Sequence, residues 1–225
     1  METFKRTPLQ LFNLPQNFVI PLFQRPYVWK ENEQWEPLWN DIRRISELRI
    51  AEPHLNATHF LGAVVIQSQE AQSKRLTTWN VIGGQQRLTT LQLLADATCA
   101  LLAETGYVRL SGQLERLTHN DEIYIEEGDS RLKVRHLNRD RAAFDEVMSA
   151  EAHVDHVDLR NADSQIVAAH AYFSKIVEQW LGEVGSDDGA EQATGHHHRH
   201  RLLPGRWRCQ FDRSKAIELA VGRVA

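Results

Sequence analysis

Apolar residues recur along this chain with two different periods, and together they predict a mixed α+β architecture. Spacings of three and four place Trp35, Leu38, Trp39, Ile42 and Ile45 on one face of a helix over residues 33–50, with Asp41, Arg43 and Arg44 on the wet side. A longer helix is predicted from Gln86 to Glu104. Leu88, Leu91, Ala95, Thr98 and Leu102 share a face, widened by Leu93, Ala97 and Leu101, as expected of a buried central helix with Gly106 as its C-cap. Two further helices are predicted over residues 141–150 and 161–182. The strand signals are Phe18-Val19-Ile20, a β-branched run over residues 59–67, and residues 77–82. The run 59–67 reads as the clearest strand, with Gly62 marking a bulge or a close backbone approach and His59 as a hydrogen-bonded structural histidine. Leu132-Lys133-Val134-Arg135-His136-Leu137 alternates apolar and basic residues, which predicts an edge strand with solvated charge. Residues 107–130 read as irregular, with one short strand at 123–125.

Two stretches carry candidate chemistry. In Trp79-Asn80-Val81-Ile82-Gly83-Gly84-Gln85-Gln86-Arg87-Leu88-Thr89-Thr90-Leu91, an apolar run ends in two glycines, two amides and a guanidinium before leucines recur at helical spacing. The pattern is strand, tight turn, helix. Glycine permits positive φ and close approach of the backbone. The first helical N–H groups lack partners within the helix, and the helix dipole favours an anion beside them. Arg87 adds a planar fork suited to phosphate. The reading is a phosphate or nucleotide cradle; the alternative is a glycine turn with a capping Gln and a surface Arg. The second stretch, Ile20-Pro21-Leu22-Phe23-Gln24-Arg25-Pro26-Tyr27-Val28-Trp29, holds two prolines that forbid a helix. It reads either as a loop braced by Phe23, Tyr27 and Trp29 that aims Arg25 at an anion, or as an Arg whose stem packs on aromatics.

Composition narrows the setting. With 225 residues there is room for one large domain or two small ones. A net charge of −4 gives no global basic signal for nucleic acid, although a local patch is compatible with it. Two cysteines, Cys99 and Cys209, are too few for a disulfide framework and fit a reducing cytoplasm. The first residues lack the apolar core of a signal peptide, and no run approaches the ~18 apolar residues of a membrane span. From about residue 183 the character changes. His196, His197, His198 and His200 are interleaved with arginines but lack Cys or carboxylate partners at metal-site spacing, so no metal site is assigned. Residues 183–225 read as a flexible or non-native tail.

Taken in order, the 20–29 loop, Trp39-Asn40-Asp41-Ile42, His59-Phe60-Leu61-Gly62-Ala63-Val64-Val65 and the Gly83-Gly84-Gln85-Gln86-Arg87 turn resemble the N-terminal domain of GmrSD-type, modification-dependent restriction enzymes. The resemblance covers roughly residues 8–182. Arg141-Ala142-Ala143-Phe144 and Ala171-Tyr172-Phe173-Ser174-Lys175-Ile176 are similar to the family's helical continuation. It implies a ParB/sulfiredoxin-like region over residues 1–106 and a mainly helical continuation over 107–182. It also implies binding and hydrolysis of a nucleoside triphosphate (GTP, ATP or CTP) with Mg²⁺, coupled to a nuclease that cuts modified invading DNA. On this chain Gln85, Gln86 and Arg87 would hold and polarise phosphates. Gln24, Arg25, Gly83, Gly84 and Thr89 would complete the nucleotide site. Two departures stand out. The family's motif begins with aspartate where this chain has Gly83, and a glycine can neither ligate Mg²⁺ nor orient water. Asp41 and Asp96 are the candidate replacements. The chain also reads as stopping short of the family's Asn- and Gly-containing motif and HNH nuclease domain. The expectation is a nucleotide-binding, weakly hydrolytic sensor domain of a restriction system. Its rivals are a non-enzymatic ParB-like DNA- or partner-binding module and an inactive fragment.

Overall fold

The structure, a computed structural model, describes residues 2–52, 54–55, 58–69, 76–150 and 154–182. It is α+β. Among the described residues a four-stranded mixed sheet, ordered β2-β3-β1-β4, carries six α-helices around one core. The strands are β1 (Gln16–Ile20), β2 (Val65–Ser68), β3 (Thr77–Gly83) and β4 (Val134–His136). β1 and β3 are the inner strands; β1 is the one with two parallel neighbours. β1 runs parallel to both β3 and β4, while β2 pairs antiparallel to β3. The carboxyl ends of β1, β3 and β4 therefore lie together, beside the start of β2. All five residues of β1 are buried, which requires packing on both faces of the strand.

The helices are α1 (Pro8–Phe12), α2 (Glu36–Ala51), α3 (Gln85–Glu104), α4 (Val108–Thr118), α5 (Arg141–Met148) and α6 (Gln165–Gly182). α3 is central, with α4 and α6 packed along it. Leu93 and Leu94 are fully buried on it, each contributing about 1.5–3 kcal/mol by leaving water. Aromatic packing joins α2 to α6, with Trp39 edge-on to Trp180 at 5.9 Å between ring centroids. Core residues from Phe12 to Leu181 form one cluster, so the helices after residue 106 share the interior of the sheet-bearing part. No helix among the described residues is long and apolar enough to cross a membrane.

Several expectations change. Of the run 59–67 only residues 65–67 are strand, the first part of β2 (Val65–Ser68), and Gly62 before them takes φ 94°, outside the extended region. Residues 107–130 hold a helix, α4, and a 3₁₀ turn, Glu122–Tyr124, where a strand was expected. The physical reason lies in the α3 terminus. Gly106, at φ 81°, lets the Tyr107 N–H return to the Leu102 carbonyl (2.8 Å) and its own N–H reach Ala103 (3.1 Å). The chain turns so tightly that α4 starts at once, burying Leu110, Leu114 and Leu117. Within the alternating segment 132–137 the edge strand is β4, and two of the segment's basic residues are not solvated, while Arg135 stays half-buried. Lys133 and His136 are each 3% exposed. The Lys133 ammonium donates to the Leu14 carbonyl (2.8 Å) and to Asn120 Oδ1 (3.0 Å), and burial lowers its pKa to about 8. Lys133 is therefore not free to meet a phosphate backbone. The tail 183–225, with its histidines, lies outside the described residues.

Candidate functional site

The turn between β3 and α3 sits at the carboxyl ends of the parallel strands, the edge where open α/β sheets place ligands. Gly84 is the residue before the helix, with φ 88° in the left-handed region. A Cβ there would also lie 2.9 Å from Val64 Cγ2 and 3.1 Å from the Ala63 carbonyl oxygen, so glycine is required twice over. The first hydrogen bond of α3 runs from the Leu88 N–H to the Gly84 carbonyl (3.1 Å). No side chain caps the helix, which leaves the Gln85, Gln86 and Arg87 N–H groups without an intrahelical partner. A 20-residue helix thus directs its positive end at this spot.

The four polar side chains of the turn region have different duties. Gln86 is buried, and both ends of its amide are taken. Its Oε1 accepts from the Val28 N–H (2.9 Å) and its Nε2 donates to the Pro26 carbonyl (3.1 Å). Gln86 therefore shapes the 21–29 loop and does not present its amide to a ligand. Gln24 works the same way from the loop, its Nε2 donating to the carbonyls of Ile82 (3.0 Å) and Val81 (3.3 Å). By contrast, the half-buried Gln85 amide and the exposed Arg25 guanidinium make no hydrogen bond or ion pair among the described residues. The Gln24 contact carries Arg25 to the end of β3.

Arg87 lies over the segment 58–64. Its Nη1 donates to the Ala63 carbonyl (3.2 Å), and a Cβ on Gly62 would meet the guanidinium carbon at 2.9 Å. Gly62 is the close approach its sequence position suggested. Thr89, expected at the nucleotide site, is instead buried one turn into α3, where β4 covers the helix. Its hydroxyl meets His136 Nε2 at 3.1 Å. His59 pairs with Asp41 across 3.4 Å, and Asp41 also accepts from Arg44 (3.2 Å).

The loop rests on residues the sequence did not single out. Asp140 Oδ2 accepts from the Tyr27 N–H (2.8 Å) and from Asn138 (3.2 Å). The Tyr27 hydroxyl meets Thr90 Oγ1 at 2.6 Å and accepts from Trp35 Nε1 at 2.9 Å; its burial raises the phenol pKa. Gln165 Nε2 donates to the Trp29 carbonyl (2.9 Å). Tyr27 and Trp29 brace the loop as expected, but Phe23 is 75% exposed and does not. Nothing local in the sequence pointed to Asp140, because its role depends on a residue 113 positions away.

The donor set fits an anion and does not fit a protein-held Mg²⁺. Gly83 offers no carboxylate. Asp96 lies about 16 Å along α3 from Gln85 and accepts from His170 (3.2 Å). Asp41 is engaged by Arg44 and His59. Among the described residues there is no group of three or more metal-binding side chains. At residue 83 a Cβ would make only ordinary contact, 3.7 Å from the Val65 side chain, so the backbone accommodates an aspartate there.

A family model described as the N-terminal domain of GmrSD restriction endonucleases matches residues 9–207. No curated protein matches the chain.

Proposed function

Since the chain belongs to the family of GmrSD restriction endonuclease N-terminal domains, we propose that it is the nucleotide-binding sensor domain of a restriction system. In this reading the domain has a ParB-like fold and reports on modified invading DNA through a nuclease. The observation that carries it is the uncapped N-terminus of α3 with Arg87 three residues in and Arg25 delivered by the facing loop. The backbone N–H groups of Gln85, Gln86 and Arg87 and the two guanidinium groups would hold the phosphates. Gln85, whose amide is uncommitted, would touch the terminal phosphate or its attacking water. Gln86 and Gln24 are positioning residues. Mg²⁺ would arrive on the phosphates themselves, with no carboxylate from this turn.

Without an acid at residue 83 the domain binds more readily than it hydrolyses. The test is paired: nucleotide binding and phosphate release by the protein and its Gly83→Asp variant, with each of GTP, ATP and CTP and Mg²⁺. Binding by both, with turnover gained only by the variant, is the expected result. Turnover by both would make the domain an enzyme with another catalytic group. Binding by neither would retire the nucleotide reading in favour of a partner-binding module.

A further inference from the structure

The cradle accounts for phosphates but leaves a second feature of the same sheet edge without a role. Five large apolar side chains stand exposed there: Leu22 and Phe23 after β1, Phe60 in the segment 58–64, Val65 at the start of β2 and Ile82 near the end of β3. Single exposed apolar residues are ordinary. These are gathered by the fold. Val65 pairs with Gly83 across the hairpin. Gln24, directly after Phe23, holds the Ile82 carbonyl. Phe60 is two residues from Gly62, on which Arg87 lies.

Phe23 is the telling member. Its backbone is fixed, because the Gln24 side chain grips β3 and the Gln24 N–H donates to the Pro21 carbonyl (3.1 Å). Its ring is nevertheless in solvent. An exposed ring on a fixed stretch of backbone, two residues from Arg25, suits a ligand that is itself flat at one end and anionic at the other. An apolar protein segment laid on the patch would cover the rings but leave Arg25 without a counter-charge.

We infer that Phe23 is the base-stacking platform of the cradle, with Phe60 approaching from the opposite segment, so that a nucleotide is held by ring stacking as well as by its phosphates. This rests on the nucleotide reading above. Stacking of a base on an aromatic side chain corresponds to an affinity gain of about 5- to 150-fold.

The experiment compares inorganic tripolyphosphate with ATP and GTP by calorimetry in the same buffer. The proteins are the full chain and its Phe23→Ala, Phe23→Leu and Phe23→Trp variants. In the wild type ATP and GTP bind at least 5-fold more tightly than tripolyphosphate. Phe23→Ala and Phe23→Leu bring that ratio close to one while leaving tripolyphosphate affinity unchanged, and Phe23→Trp keeps it. Phe23 is exposed, so all three variants keep the wild-type melting temperature. A wild-type ratio near one, or a ratio retained by Phe23→Leu, overturns the stacking role while leaving the cradle standing. Failure of both nucleotides and tripolyphosphate to bind removes the cradle and this inference together.

Discussion

Two segments flank the N-terminus of α3, and they are held in opposite ways. The loop 21–29 is pinned from four elements: by Gln86 on α3, by Asp140 just before α5, by Gln165 on α6 and by its own Gln24 on β3. The segment 58–64 has fewer side-chain bonds among the described residues: Arg87 reaches the Ala63 carbonyl and the half-exposed His59 pairs with Asp41, while Leu61 and Val64 pack against the core. The first is a fixed wall whose backbone polar groups are satisfied in the interior. The second is attached through a residue that the proposed ligand would also contact. Rigidity and responsiveness are thus divided between the two walls, and the same motif supplies both: Gln86 locks one side and Arg87 engages the other.

The largest expected effect comes from breaking the fixed wall. Gln86→Leu removes the partner of the Val28 N–H and of the Pro26 carbonyl without opening a cavity. The two groups are part-buried, so each left unpaired costs about 1–2 kcal/mol, the lower part of the range for buried groups. The variant should lose about 2–4 kcal/mol in urea unfolding, and amide exchange at Val28 should accelerate by more than that in α4.

Acid should act on the same wall next. His136, at the end of β4, leads into the Asn138–Asp140 turn that anchors Tyr27. Burial pushes its pKa down from 6.5 to about 4. A folded-state pKa below the unfolded one means the unfolded chain binds the proton first. The stability held by the neutral ring is therefore complete above pH 6.5 and is lost as pH falls toward 4, by up to about 3 kcal/mol. His119 and His156, also lowered chiefly by burial, add to the loss in the same direction. His136→Gln should flatten the decline in a series of melts from pH 7 to 4.

How much of this was legible in sequence follows from what each residue depends on. The turn at Gly83–Gly84, the start of α3 and the helices α2, α5 and α6 are local patterns, and they stand where periodicity put them. Gln86 and Arg87, adjacent in sequence, read alike as phosphate ligands. Only the packed loop distinguishes them, because the Val28 N–H is brought to Gln86 from 58 residues away. The same holds for Thr89, whose partner His136 arrives from β4. α4 is hard to read from sequence although Leu110, Leu114 and Leu117 have helical spacing, because it follows the Gly106 cap at once and carries Gly112 in its middle. The burial of Lys133 was invisible because its satisfying carbonyl belongs to Leu14.

The smallest effect on stability should accompany the largest effect on binding. Arg87 is half-exposed and makes one hydrogen bond to the segment 58–64. Arg87→Ala should change unfolding free energy by about 0.5 kcal/mol or less, as for surface substitutions generally. The most direct test of the account is therefore a calorimetric titration of ATP, GTP and CTP with Mg²⁺ into the wild type and Arg87→Ala, with melting curves for both. The account predicts saturable binding by the wild type to at least one nucleotide, its loss in the variant, and nearly superimposable melts. Equal affinity in the two proteins, or a variant that loses binding only because it unfolds, would contradict it.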